Sequence, residues 1–199
     1  RTFFVDSSFL QMFDFPLLEG DRQTALQRPN SIVLTESAAR KLFGAADPIG
    51  KTLSHFGEDT LLFKVTGILK DIPGNSQFQF DALQSFNTIY KPDWANRWNG
   101  NWLNTYVELA PNTDMAALEK KFPAYLKKYK IGDERLQYDL FLLPLRAIHA
   151  NAVDIGDDEI NFQKFDQRYT NMFMGVGLLV LLIACINFMN LATARSVKR

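Results

Sequence analysis

Cysteine is almost missing from this chain of 199 residues, where Cys185 stands alone. A single thiol excludes an intrachain disulfide and leaves the redox compartment unread. Histidine is nearly as scarce. His55 and His149 are the two present, and with Cys185 they make no pair at metal-ligand spacing, so each reads as a surface or packing residue. Surplus charge of one sign is also lacking. The 22 Lys and Arg balance 22 Asp and Glu, which removes the electrostatic footprint that a nucleic-acid partner requires. No HExxH occurs, and Ser7 and Ser8 lack the flanking glycines of a nucleophile elbow. Asp157, Asp158 and Glu159 form an acidic run of the kind that normally makes a solvated face.

A phosphate loop is suggested by Gly44 through Thr52, but it fails on two counts. Its glycines must be separated by four residues so that backbone N–H groups curl around the phosphates. Here five residues separate Gly44 from Gly50. The loop must also follow a strand and open a helix, whereas Gly44 closes a predicted helix and Thr52 begins a predicted strand. A turn is the better description. No catalytic, cofactor or metal-binding residue is expected.

Charge is absent for 26 consecutive residues, Tyr169 to Ala194. At about 1.5 Å per residue a helix of that length exceeds the roughly 30 Å hydrocarbon core of a bilayer. The strictly apolar centre, Phe173 to Ile186, is too short alone, but the stretch to Ala194 extends it without a charged side chain. Asn187, Asn190 and Ala194 share a face at helical spacing, which suggests a side turned toward neighbouring helices. The alternative places both amides at headgroup depth, touching water. Arg195, Lys198 and Arg199 crowd the end of the span, whereas its approach from His149 has Lys164 and Arg168, so the positive-inside rule puts the C-terminal end in the cytoplasm.

The remainder amounts to about one domain of soluble chain. With 47% hydrophobic and 22% charged residues the chain as a whole has the composition of a folded protein, not of a disordered one. The chain opens at Arg1 without a charged leader, which points to a piece of a longer protein with an earlier hydrophobic segment upstream.

Strand character is predicted at Thr2 to Val5 and Ser31 to Leu34, and in a hairpin of Thr52 to Ser54 and Thr60 to Lys70 with its tip at Gly57 to Asp59. A strand is also expected within Phe78 to Phe86. Ser7 or Ser8 caps a short helix carrying Phe9, Leu10 and Phe13, and Thr35 caps a helix over Glu36 to Phe43 that stops at Gly44. Glu19 to Asn30 reads as a polar loop. Farther on, Asn104 to Ala110 and Arg135 to Leu143 read as strands around a helix capped by Thr113 or Asp114 and strained by Pro123, a βαβ or split βαβ unit. Phe162, Phe165 and Tyr169 recur at helical spacing, so one helix is expected to run from about Asn161 through the span. Trp94, Trp98 and Trp102 recur every four residues. Packing within the domain is the plainer account of them, and contact with a partner is the other.

Leu182 to Ser196, with Asn187, Asn190 and Arg195, resembles the second transmembrane helix of FtsX-like ABC transporter permeases. Ser31 to Lys51, with Ala39, Leu42, Phe43, Gly44, Asp47, Pro48, Ile49 and Gly50, is similar to a MacB-like periplasmic core domain. Val65, Gly67, Ile68, Asp71 to Asn75 and Leu143 to His149 continue the similarity.

The resemblance implies an α+β fold with a two-lobed periplasmic core over residues 1–150. A porter-like βαβ lobe would occupy 1–28 and 76–150, with an inserted, mostly β lobe at 29–75. A stalk at 151–168, a transmembrane helix at 169–194 and a cytoplasmic start at 195–199 would follow. It further implies a bacterial inner-membrane permease that binds no cofactor itself, ATP and Mg being held by a cytoplasmic ABC ATPase partner. A second permease copy would complete a homodimer or heterodimer, with a periplasmic adaptor and an outer-membrane channel as further candidate partners. Motion driven by ATP would pass outward to export or extract a drug, peptide or lipoprotein. The rival expectation is a tethered extracytoplasmic sensor domain of a signalling receptor.

Overall fold

The computed structural model describes residues 1–55, 60–95, 103–129, 138–151, 155 and 165–196. The chain divides into a unit of Arg1–Leu142 and a second of Leu143–Arg199.

The first unit is built on a six-stranded mixed sheet. Its strands are β1 (Thr2–Val5), β2 (Leu17–Gly20), β3 (Ser31–Thr35), β4 (Thr52–His55), β5 (Leu61–Leu69) and β6 (Ala82–Ser85), in the order β1-β6-β3-β5-β2 with β4 also paired to β5. β3 is buried at every residue, as a central strand reading Ser-Ile-Val-Leu-Thr should be. It runs antiparallel to β6 and parallel to β5.

Its two faces separate by alternation. Ile32 and Leu34 join Phe63, Val65, Ile68 and Ala82 in one cluster. Against that cluster packs α2 (Glu36–Phe43), through Ala38, Ala39 and Phe43. The Thr35 hydroxyl accepts from the Ala38 N–H at 3.3 Å, and Gly44 ends the helix at φ 64° with its N–H on the Arg40 carbonyl. Both ends of α2 therefore form as predicted. The turn that follows is fixed by the Asp47 carboxylate accepting from the Ile49 N–H and by Gly50 donating to Val65, with no phosphate cradle.

The other face carries an aromatic cluster. Phe9, from the short helix α1 (Phe9–Met12), meets Phe13, Phe15, Phe78 and Phe80 with ring centroids 4.8–6.4 Å apart. Tyr106 closes it against Phe13 and Phe78. Arg22 holds the backbone beneath these rings. Its guanidinium donates to the Leu10 and Phe13 carbonyls from Nη1 and to the Phe15 carbonyl from Nη2. A planar fork suits three converging carbonyls as no lysine would.

Several sequence-based expectations need correction. β2 lies partly in the stretch read as a polar loop; Gly20 hides it, because a Cβ there would come within 2.5 Å of the Thr66 carbonyl oxygen. Residues 78–81 are not strand, since Phe78 and Phe80 turn into the aromatic cluster. Residues 104–110 and 138–143 form no ladder, so the βαβ unit is not built from them; Tyr106 packs against aromatic rings instead of across a strand. Pro123 does not kink one helix. It sits in the first turn of a second, α5 (Phe122–Tyr129), after α4 (Met115–Glu119), because a missing N–H costs nothing there. Between α2 and α4, Pro92–Ala95 forms the short helix α3. Asp114 caps α4 as expected, but Ser8 makes no capping bond, and Asp6 accepts from the Ser8 N–H instead.

Strands from 1–28, from 29–75 and from 76–150 share the one sheet.

Replacing Arg22 by Met keeps much of the volume and removes all three hydrogen bonds. Unfolding free energy should fall by about 2–4 kcal/mol, because charge-assisted bonds are lost and carbonyls are left facing an apolar stem. Chemical denaturation of the variant in detergent measures this, and a loss below about 0.5 kcal/mol would deny the fork its role.

Candidate functional site

Within the second unit, Leu145–Ala147 forms a short 3-10 turn, Ile148–Asn151 the helix α6 and Gln167–Ser196 the helix α7. α7 has 30 residues and a length near 45 Å. Gln167–Thr193 qualifies as a membrane span by length and composition; its most apolar 18-residue window has mean hydropathy 2.4, and none of that window is buried within the chain. Apolar side chains surround it on every side. Phe173, Met174, Leu178, Leu181, Ile183 and Phe188 are all exposed. An all-round apolar surface of this length suits lipid, whereas a helix covering a soluble domain keeps one polar face.

The helix begins later than the aromatic spacing suggests. Phe165 and Asp166 are not helical, and 152–154 and 156–164 of the expected stalk lie outside the described residues. Asp166 supplies the cap. Its carboxylate accepts from the Arg168 N–H at 2.8 Å and its carbonyl from the Tyr169 N–H, so two of the unpaired donors at the helix start are satisfied. The backbone N–H of Arg168 is the main reason the Asp166 carboxyl is held below its ordinary value of 3.8, followed by the Arg168 guanidinium bonded at 2.9 Å. A negative group there also matches the positive end of the helix dipole.

Asn187, Asn190 and Ala194 all fall within α7, at the spacing that aligns them on one face, and both amides are exposed. Thr193, beside them, turns its hydroxyl back to the Met189 carbonyl at 2.9 Å. The tryptophans are placed less fully. Trp94 lies in α3, while Trp98 and Trp102 lie outside the described residues. His149 stacks edge-on with Phe165 at 4.8 Å. Among the described residues no group of three His, Cys, Asp or Glu side chains is arranged to hold a metal ion.

In the first unit an open groove lies between α2 and the sheet. It is lined by Glu19, Glu36, Arg40, Asp47 and Ile68, and Glu36 and Arg40 pair across one turn at 3.0 Å. Next to it Asp71 accepts from the Ser37 hydroxyl at 2.5 Å and from its N–H at 2.8 Å, and these bonds hold the Asp71 carboxyl below its ordinary range. Such contacts tie α2 to the loop after β5.

The family described as the MacB-like periplasmic core domain matches residues 1–125. The chain belongs to that family. This makes the first unit a periplasmic domain of the ABC transporter permease family, whose members imply an ATPase partner. Together with the single apolar helix it fits an inner-membrane protein. Among solved structures, a domain of a protein described as a permease from Porphyromonas gingivalis is similar in fold. It is 24% identical with a TM-score of 0.54, over 74% of this chain and 70% of that one. The periplasmic region of MacB from Actinobacillus actinomycetemcomitans is 17% identical with a TM-score of 0.41, over 64% of this chain and 55% of that one. Among curated proteins none matches.

Asp166→Ala should fray the start of α7. Amide exchange at Arg168 and Tyr169 should quicken several-fold in bilayer-embedded protein. Because the folded carboxyl titrates below its unfolded value, the cap persists at neutral pH and weakens as pH falls through the depressed range. Acidification of the unaltered chain should therefore lower the protection of these amides relative to their intrinsic exchange rate, as the substitution does, and equal exchange in both proteins at neutral pH would count against the cap.

Proposed function

We propose that this chain is the outward-facing core and second transmembrane helix of a permease that transmits motion. The observation that carries the proposal is the succession of a MacB-like core domain and an unburied helix long enough to cross a bilayer. In this reading α7 runs outward-to-inward, with Arg195 at the cytoplasmic surface, and residues 1–168 are periplasmic. A partner ATPase hydrolyses ATP, two permease copies associate, and the helices carry the closure of the ATPases to the paired domains outside. The chain performs no reaction. A substrate such as a drug, peptide or lipoprotein is moved by the rearrangement, with an adaptor and an outer-membrane channel as candidate partners.

The exposed amides of Asn187 and Asn190 belong to this mechanism as bonds to neighbouring membrane helices. Interhelical hydrogen bonds of this kind contribute about 0.6–2 kcal/mol each. Replacing both by Leu should cut the yield of assembled transporter and its transport rate several-fold. Unchanged assembly and transport in inverted vesicles would remove the packing role.

Lys41 is exposed on α2 and serves as a reporter of domain motion. With Cys185 changed to Ala and Lys41 to Cys, spin labels on two copies in nanodiscs with the ATPase should show one distance distribution with ADP and another with a non-hydrolysable ATP analogue. Identical distributions would overturn the transmission of motion. A cytoplasmic kinase or other output module in place of an ATPase would favour the sensor.

A further inference from the structure

α5 carries no acidic residue, and Met115–Tyr129 as a whole has four Lys against the single Glu119. The Glu119 carboxylate already accepts from the Leu142 N–H at 2.7 Å. On α5, the half-buried Phe122 and Leu126 mark the inner side. Lys121, Tyr125 and Lys128 follow one another at three-and-four spacing along an exposed flank, and Tyr129 lies four residues after Tyr125, the tyrosines 41% and 43% exposed. The two tyrosine rings lie 4.7 Å apart, and the Lys128 ammonium sits 5.1 Å from the Tyr129 ring centre. Lys120 and Lys127 extend the positive surface.

α2 manages its charge differently, pairing Arg40 with Glu36. Among the described residues no carboxylate pairs with the four lysines, although the chain as a whole is neutral. A flank of lysine and tyrosine suits an anionic lipid surface, where ammonium groups meet phosphates and tyrosine rings sit at headgroup level. It suits a protein interface poorly, because lysine is depleted from the centres of such interfaces.

We propose that this flank of α5 lies against anionic phospholipid headgroups of the bilayer that α7 crosses, an inference that rests on the anchored reading above. The tether permits it. Leu142, bonded to α4, lies seven residues before His149, whose carbonyl accepts from the Phe165 N–H at 3.0 Å two residues before Gln167, so the chain path to the start of α7 is at most roughly 35 Å and keeps the headgroups within reach. Anchoring also raises the effective concentration of the headgroups at the flank, so a contact too weak to hold a free domain suffices.

The test uses the chain in nanodiscs, with Cys185→Ala and an environment-sensitive label at Ala124→Cys on the exposed side of α5. Discs of phosphatidylcholine alone are compared with discs containing phosphatidylglycerol, both carrying a headgroup-level quencher. Quenching should be at least about twofold greater in the anionic discs and should fall as salt rises. Changing Lys120, Lys121, Lys127 and Lys128 to Gln should abolish the difference, and changing them to Arg should restore it. Equal quenching in the two kinds of disc, or a difference that survives the glutamines, overturns the contact while leaving the anchor intact. A chain that fails to co-elute with either disc overturns the anchored reading and the lipid contact with it.

Discussion

Everything in the first unit converges on a bulge in one strand. β5 pairs with β3 along one edge, while its other edge is shared end to end by β4 and β2. The register against β3 slips at Thr66, where Val65 opposes Ile32 and Gly67 opposes Val33. Such an extra residue leaves polar groups unmatched and sharpens the local twist. Thr66 resolves this with its hydroxyl, which donates toward the carbonyls of Ala25 and Ile32 at 2.7 and 3.1 Å. Gly20 and Gly67 let the backbones of β2 and β5 approach at the same spot. Sequence, register and close approach thus form one constraint, and the loop between β2 and β3 is placed by it.

That loop is then fastened to the sheet by side chains that reach its backbone. Ser85 donates to the Leu26 carbonyl, Asn87 donates to that of Gln27, and the Thr88 hydroxyl accepts from the Asn30 N–H. Ala25 and Leu26 are buried as a result. With Arg22 holding the chain under the aromatic rings, a domain that has no disulfide fixes a long irregular segment with hydrogen bonds and apolar burial alone.

What the sequence reveals depends on how local the cause is. The helix Glu36–Phe43, its Thr35 cap and its Gly44 stop are written in adjacent residues, and so is the hairpin of β4 and β5. The apolar helix is visible because lipid demands one unmistakable composition. β2 is not visible, because its fitness for a strand depends on a carbonyl 46 residues away, at Thr66. Residues 104–110 mislead for the opposite reason. Their alternation is that of a strand, yet Tyr106 finds better company among phenylalanines brought from residues 13 and 78. Asp166 shows the same limit at the stalk, where a helical spacing of aromatics runs through a residue whose carboxylate caps the start of α7. The lysine flank of α5 required the folded chain.

A cylinder that is greasy on all sides has no preferred azimuth in a bilayer, since turning it about its axis changes nothing that lipid tails can sense. α7 is such a cylinder over most of its length. Gln167 donates to Asn171 one turn away and Thr193 to its own backbone, which leaves the amides of Asn187 and Asn190, three positions apart, as the index marks that distinguish one side from another. Whatever receives those two amides therefore sets the rotational phase of the whole rod, and with it the heading of every side chain up to Gln167.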